Sequence, residues 1–141
     1  MALLAKARED ASALLIAPTG AGKTLAGFLP TLVELSAPAP LARDGGKKSV
    51  ISTGRGVKRT GGLHTLYISP LKALAVDIAR NLETPVAQMA LPIKVETRTG
   101  DTPVSRRQRQ RRYPPDILLT TPEQLALLLS SDDAPFLFSS L

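Results

Sequence analysis

The stretch LLIAPTGAGKTLAGF, residues 14–28, decides how the rest of this 141-residue chain is read. The apolar run ALLIA, residues 13–17, stops at Pro18 and has the character of a strand buried on both faces. A loop holding Gly20 and Gly22 follows, then Lys23 and Thr24, then a helical pattern from about Lys23 to Leu35 with Leu25, Phe28, Leu29 and Leu32 on one face. Pro30 should kink or shorten that helix, because it has no N–H and its ring crowds the carbonyl four residues back. Glycines between strand and helix let successive backbone N–H groups curl round an anion, and the helix directs its positive end at the same point. The 17–24 loop is therefore a candidate site for ATP or GTP. Ala17, Pro18, Thr19, Gly20, Ala21 and Gly22 would wrap the phosphates, Lys23 would reach the β- and γ-phosphates as a compact cation, and the Thr24 hydroxyl would complete the shell of a magnesium ion. Lys23 and Thr24 are the candidate catalytic residues, with Thr24 the candidate metal ligand. The general pattern G-x-x-x-x-G-K-[ST] has glycine where Ala17 stands, a small departure because the curl depends more on Gly20 and Gly22.

Beyond this loop, strands and helices alternate. HTLYIS (64–69) reads as the second strand, and SPLKALAVDIARNLE as a helix with Ser69 at the N-cap and Pro70 in its first turn. IKVETRT (93–99) alternates as a third strand and DILLTT (116–121) is the fourth. In TPEQLALLLSS, Thr121 caps a helix, Pro122 starts it and Gln124 completes a capping box. Crossovers of this length predict an α/β fold: a parallel sheet covered on both faces, in three layers. Ligands in such folds sit at the carboxyl ends of the strands, which would gather the loops 17–24, 69–72, 99–103 and 120–123 on one edge. Residues 36–62, rich in Gly, Pro, Ser and Lys, break the alternation and read as a flexible surface insertion.

Composition narrows the chemistry. With no cysteine and a single histidine, His64, neither a disulfide framework nor a zinc site is available. No apolar run approaches the roughly 20 residues that span a bilayer, and Met1–Asp10 lacks the order of a secretory signal, so a cytoplasmic protein is the default. The net charge of +6 is concentrated: six basic residues against Asp44 between Arg43 and Arg59, and six against Asp101 between Arg98 and Arg112, leave −4 for the remainder. Such patches suit a polyanion, though solvated surface segments carry the same charge. In a helix across PVSRRQRQRR, Arg106, Arg109 and Tyr113 share one face and Arg107 and Arg111 another, so no single basic stripe forms. This favours a solvated helix, with Tyr113 a weak candidate for base stacking.

APTGAGKT, then SPLKALAVD, then TRTGDT, then TTPEQL resemble motifs I, Ia, Ib and Ic of superfamily 2 DEXH/DEAD-box helicases, in that order and over nearly the whole chain outside 36–62. LYISPLKALAVDIARNLE and PPDILLTTPEQLALLLS are most similar to the large-helicase-related (Lhr-like) branch, in particular its bacterial ligase-associated members. The resemblance implies a RecA-like P-loop NTPase domain, ATP and Mg2+ as cofactors, and a single-stranded or partly duplex nucleic acid as partner, with DNA favoured. It implies that Pro70, Leu71 and Lys72, then Thr99, Gly100 and Asp101, then Thr121, Pro122 and Glu123, grip the sugar-phosphate backbone of one strand. Unwinding from 3′ to 5′, a role in DNA repair and repair partners such as a ligase rest on the resemblance alone. Backbone contacts carry no sequence information, so binding should depend on salt and be nearly indifferent to sequence.

Hydrolysis in this class needs an acidic pair at the end of a further strand and arginines from a second RecA-like domain. LALLLSSDD offers Asp132 and Asp133 after an apolar run, but TPEQ marks that run as a helix. Residues 1–141 are therefore expected to be an incomplete first RecA-like ATP-binding domain, the amino-terminal part of an ATP-dependent helicase or translocase, inactive as an ATPase in isolation. The alternative is a stand-alone phosphate- or nucleic-acid-binding module without motor activity. A small P-loop kinase fits less well, since no lid arginines or acceptor site accompany the loop.

Overall fold

The computed structural model describes residues 3, 5, 6, 9, 12–18, 22–36 and 62–141. The expected insertion at 36–62 and its basic residues lie almost wholly outside them. The elements are α1 (Lys23–Ser36), β1 (Thr65–Ile68), α2 (Lys72–Gln88), β2 (Val95–Arg98), α3 (Val104–Arg112), β3 (Ile117–Thr120), α4 (Pro122–Leu129) and α5 (Ala134–Leu137). The three strands form one parallel sheet in the order β1-β3-β2. Ile117 stands opposite both Thr65 and Val95, and Thr120 opposite both Ile68 and Arg98, so all three strands end level.

β3 is central and buried along its whole length, which explains why ILLT is a continuous apolar run and not an alternating one. Its side chains alternate between two cores. Ile117 and Leu119 join Phe28, Leu32 and Leu35 of α1 and Ala75, Ile78, Ala79, Leu82 and Val86 of α2. Leu118 points the other way, into a smaller cluster with Leu63, Leu128 of α4 and Leu137 of α5. The three-layer α/β architecture expected from the alternation is present. Gly62 enters β1 pressed against the last turn: a Cβ there would lie 2.3 Å from Ser140 Oγ, whose hydroxyl donates to the Leu63 carbonyl at 2.9 Å.

Four local expectations need correction. Residues 13–17 form no strand: Leu14 and Ile16 are each 84% exposed, and no ladder joins them to the sheet among the described residues. An apolar run reports only that burial is favourable, whereas a strand exists through the partner that satisfies its backbone groups, and no described strand lies beside this one. Of the two outcomes expected of Pro30, a kink or a shortening, the shortening does not occur: α1 continues to Ser36. The proline ring faces the carbonyl of Ala26, which loses its donor four residues on, and the burial of Phe28, Leu32 and Leu35 on the sheet offsets the lost hydrogen bond. Its buried face is turned from the expected one, since Leu25 and Leu29 are exposed. Ser69 is not the N-cap of α2. Leu71 occupies that position with no side-chain cap, while the buried Ser69 hydroxyl donates to the Leu71 carbonyl at 3.0 Å and stabilises the turn before the helix.

Candidate nucleotide and nucleic-acid site

Because the strands are parallel and in register, the loops that follow β1, β2 and β3 emerge on one edge. Three contacts orient α1 against β1. The Phe28 and Tyr67 rings lie 5.3 Å apart, Thr31 Oγ1 is 3.1 Å from Thr65 Oγ1, and Glu34 Oε2 is 3.1 Å from His64 Nε2. The helix number rises as the strand number falls, so α1 runs antiparallel to β1. Lys23 lies five residues before Phe28, about 7–8 Å further along the axis at roughly 1.5 Å per residue, on the side of the carboxyl edge. The start of α1 and the three loops thus share one rim.

Of the expected phosphate loop, Thr19, Gly20 and Ala21 lie outside the described residues. Gly22 adopts φ +71°, the left-handed region that a Cβ disfavours, and among the described residues nothing beyond its chain neighbours lies within 4 Å of where that Cβ would be. Its carbonyl starts α1 by accepting from Ala26 N–H at 2.9 Å. The exposed Lys23 ammonium donates back to the carbonyls of Ala17 at 2.7 Å and Pro18 at 2.8 Å. Lys23 is therefore held by neutral acceptors of its own chain that an anionic phosphate would outcompete. Thr24 is exposed at the helix start, and its hydroxyl has no partner among the described residues.

The other loops divide into exposed and buried members. Pro70, Leu71, Lys72, Gly100, Asp101, Pro122 and Glu123 are exposed, whereas Thr99 and Thr121 are buried and can offer a ligand only backbone groups. The loops are tied together: Ser69 N–H donates to Thr120 O at 2.9 Å, Thr120 Oγ1 to Arg98 O at 2.7 Å, and the Lys72 ammonium pairs with the Asp101 carboxylate. At α4 the Thr121 hydroxyl caps Gln124 N–H at 3.4 Å, the half of the expected capping box that is present. The Glu123 carboxylate is held below the ordinary range by its own backbone N–H and then by the Thr121 hydroxyl. An anion of the chain itself thus already sits at this helix start.

The arginine-rich helix α3 is exposed along most of its length, as its sequence suggests, but three of its arginines are committed to partners within the chain. Arg109 donates to Glu96 Oε1 at 2.8 Å, Arg111 pairs with Asp133 at 3.5 Å and lies 4.8 Å from the Phe136 ring centre, and Arg107 donates to the carbonyls of Thr102 and Gly100, each at 2.8 Å. The buried Gln110 amide donates to Glu96 Oε2 at 2.8 Å and to Thr97 O at 3.1 Å. Only Arg106 and Arg112 of the helix's five arginines are without a partner among the described residues. The role of Arg107 was missed from sequence. Its signal is positional: an arginine in the first turns of a helix that follows a tight turn can reach back to that turn's carbonyls. LALLL lies in α4 and Asp133 is bound by Arg98 Nη2 at 2.9 Å, so Asp132-Asp133 is not the end of a strand.

A parallel sheet with a glycine-lysine-threonine helix start and three further loops on its carboxyl edge defines a P-loop NTPase domain of the helicase kind. The chain belongs to the DEAD/DEAH box helicase family, whose profile matches residues 1–140. It is 43% identical over 135 residues to the Lhr helicase/uracil glycosylase of Escherichia coli, covering 89% of this chain and 8% of that protein. It is 41% identical over 125 residues to the ATP-dependent helicase Lhr-Core of Methanothermobacter thermautotrophicus, covering 82% of this chain and 13% of that protein. Among solved structures it is similar to the Mycobacterium smegmatis helicase Lhr bound to ssDNA and AMP-PNP, with a TM-score of 0.70 and 39% identity over 94% of this chain and 16% of that one. The DUF1998 helicase MrfA gives a TM-score of 0.72 at 29% identity, covering 99% of this chain and 19% of that one. The chain thus spans less than a fifth of the length of each of these relatives. Among the described residues no helix is long and apolar enough to cross a membrane.

Proposed function

We propose that this chain forms part of an ATP-dependent nucleic-acid helicase or translocase motor, acting on DNA. The observation that carries the reading is the shared rim: the start of α1 with Lys23, and the loops after β1, β2 and β3, lie on one edge of the sheet. ATP is held by residues 17–24, with Lys23 on the β- and γ-phosphates. Thr24 suits magnesium, a hard cation that takes oxygen ligands, because the residue is exposed and its hydroxyl has no partner among the described residues. When bound, the ion neutralises phosphate charge; Lys23 and Thr24 orient the triphosphate, and the positive end of α1 supports them. The strand backbone rests on Pro70, Leu71 and Lys72, on Thr99, Gly100 and Asp101, and on Thr121, Pro122 and Glu123. A role in DNA repair and repair partners such as a ligase follow from the Lhr-like resemblance, and a cytoplasmic place is read from composition.

The test is to titrate the 141-residue polypeptide with a fluorescent ATP analogue and with a fluorescein-labelled oligothymidylate, each with and without Mg2+. Binding of both, with the nucleotide changing the affinity for the oligonucleotide, is expected. Oligonucleotide binding with no response to ATP would favour the stand-alone module, and binding of neither would sink the motor reading.

A further inference from the structure

We infer that Arg107 is the positioning residue of the nucleic-acid rim, acting through the 99–102 turn to aim two backbone N–H groups at a phosphate of the bound strand. The inference rests on the nucleic-acid reading above and adds to it a residue outside the three loops. The turn is closed by Thr102 N–H donating to Thr99 O at 3.0 Å and by Thr99 N–H donating to Thr102 Oγ1 at 2.8 Å. From α3, Arg107 Nε donates to Thr102 O and Nη2 to Gly100 O, each at 2.8 Å.

The consequence follows from the planarity of the trans peptide, which sets each C=O opposite to the N–H of the next residue. Thr99 O faces inward to Thr102, so Gly100 N–H faces out. Gly100 O faces Arg107, so Asp101 N–H faces away from α3. Both residues are exposed, and neither N–H has a partner among the described residues. Two adjacent outward N–H groups on exposed residues suit a phosphate oxygen. The Asp101 carboxylate would repel that phosphate, but the Lys72 ammonium neutralises it from the neighbouring loop. Arg107 is suited to hold two carbonyls because its guanidinium is a rigid fork of donors, a geometry that lysine lacks.

Arg107→Lys separates positioning from charge, since it keeps the cation and loses the fork. In the polypeptide without nucleic acid, Arg107→Lys and Arg107→Gln should each speed hydrogen exchange of the Thr102 amide about tenfold, while the Leu118 and Leu119 amides of β3 keep their rates and report an intact sheet. Binding of labelled oligothymidylate should weaken about tenfold in Arg107→Lys, with the slope of log affinity against log salt unchanged, and Arg106→Gln should lose much less. Unchanged Thr102 exchange would overturn the proposal. So would wild-type affinity in Arg107→Lys combined with a slope reduced by about 1 in Arg107→Gln, which would make Arg107 a direct phosphate contact. Failure of the unsubstituted chain to bind oligothymidylate would overturn the nucleic-acid reading and with it the phosphate assignment, leaving the clamp to be decided by Thr102 exchange alone.

Discussion

Phe28 of α1 and Tyr67 of β1 meet with ring centroids 5.3 Å apart and planes tilted by 38°. Together with the Thr31–Thr65 and Glu34–His64 contacts, this pair fixes the direction in which α1 crosses the sheet, and so the edge on which Lys23 emerges. Phe28 is only 4% exposed, and its removal leaves a cavity against Tyr67. Phe28→Ala should therefore cost about 3–5 kcal/mol of unfolding free energy, measured by urea denaturation. Phe28→Leu should cost much less, because it refills most of the volume.

Lys23 and Gly22 can be tested together. Lys23→Ala removes the cation now held by the Ala17 and Pro18 carbonyls and should weaken binding of a fluorescent ATP analogue at least about tenfold. Gly22→Ala meets no steric contact but places a Cβ at φ +71°, a conformation costing roughly 1–2 kcal/mol. It should weaken nucleotide binding and lower the melting temperature by a few degrees.

Lys72 and Asp101 form an exposed ion pair, and such pairs contribute little to stability, at most about 1 kcal/mol. Their effect should appear in binding. Lys72→Ala should weaken oligothymidylate binding and lower the salt slope by about 1, and Asp101→Asn should strengthen binding by removing a carboxylate from the rim. Anisotropy titrations at several salt concentrations measure both.

Glu96 links α3 to β2. Burial pushes its carboxyl up, but the Gln110 amide, Lys94 and Arg109 together outweigh this and hold it below the ordinary glutamate range. A carboxylate depressed in the folded state contributes stability in full above its unfolded value, about 4.3, and loses it as pH falls through the folded value. Acid titration of the melting temperature should show this loss below about pH 4.3. Glu96→Gln should flatten the profile there and lower stability at pH 7, because Arg109 and Lys94 lose their anion.

Much of the fold was legible because it depends on local pattern. The buried run ILLT gave the central strand, the capping pair Thr121-Pro122 gave the start of α4, and alternation of strand and helix gave the parallel sheet. What failed depended on partners. ALLIA is as apolar as ILLT, yet it forms no ladder, because strand pairing is a relation between segments that composition does not contain. The arginines of α3 looked alike in sequence. Only the fold separates Arg107, reaching back to the 99–102 turn, from Arg109 on Glu96 and from the uncommitted Arg106.

The sequence by itself determined the chemistry on offer: a glycine-lysine-threonine loop after an apolar run, threonine and proline at helix starts, no thiol, and charge in two blocks. Those are properties of residue type and near neighbours. The tertiary structure decided which of these groups face one another, namely α1 running antiparallel to β1, three strand ends level on one rim, and Lys72 set against Asp101. The physical reason is range. Propensity and periodicity act over a few residues, whereas a binding rim is assembled by packing and hydrogen bonds between segments tens of residues apart.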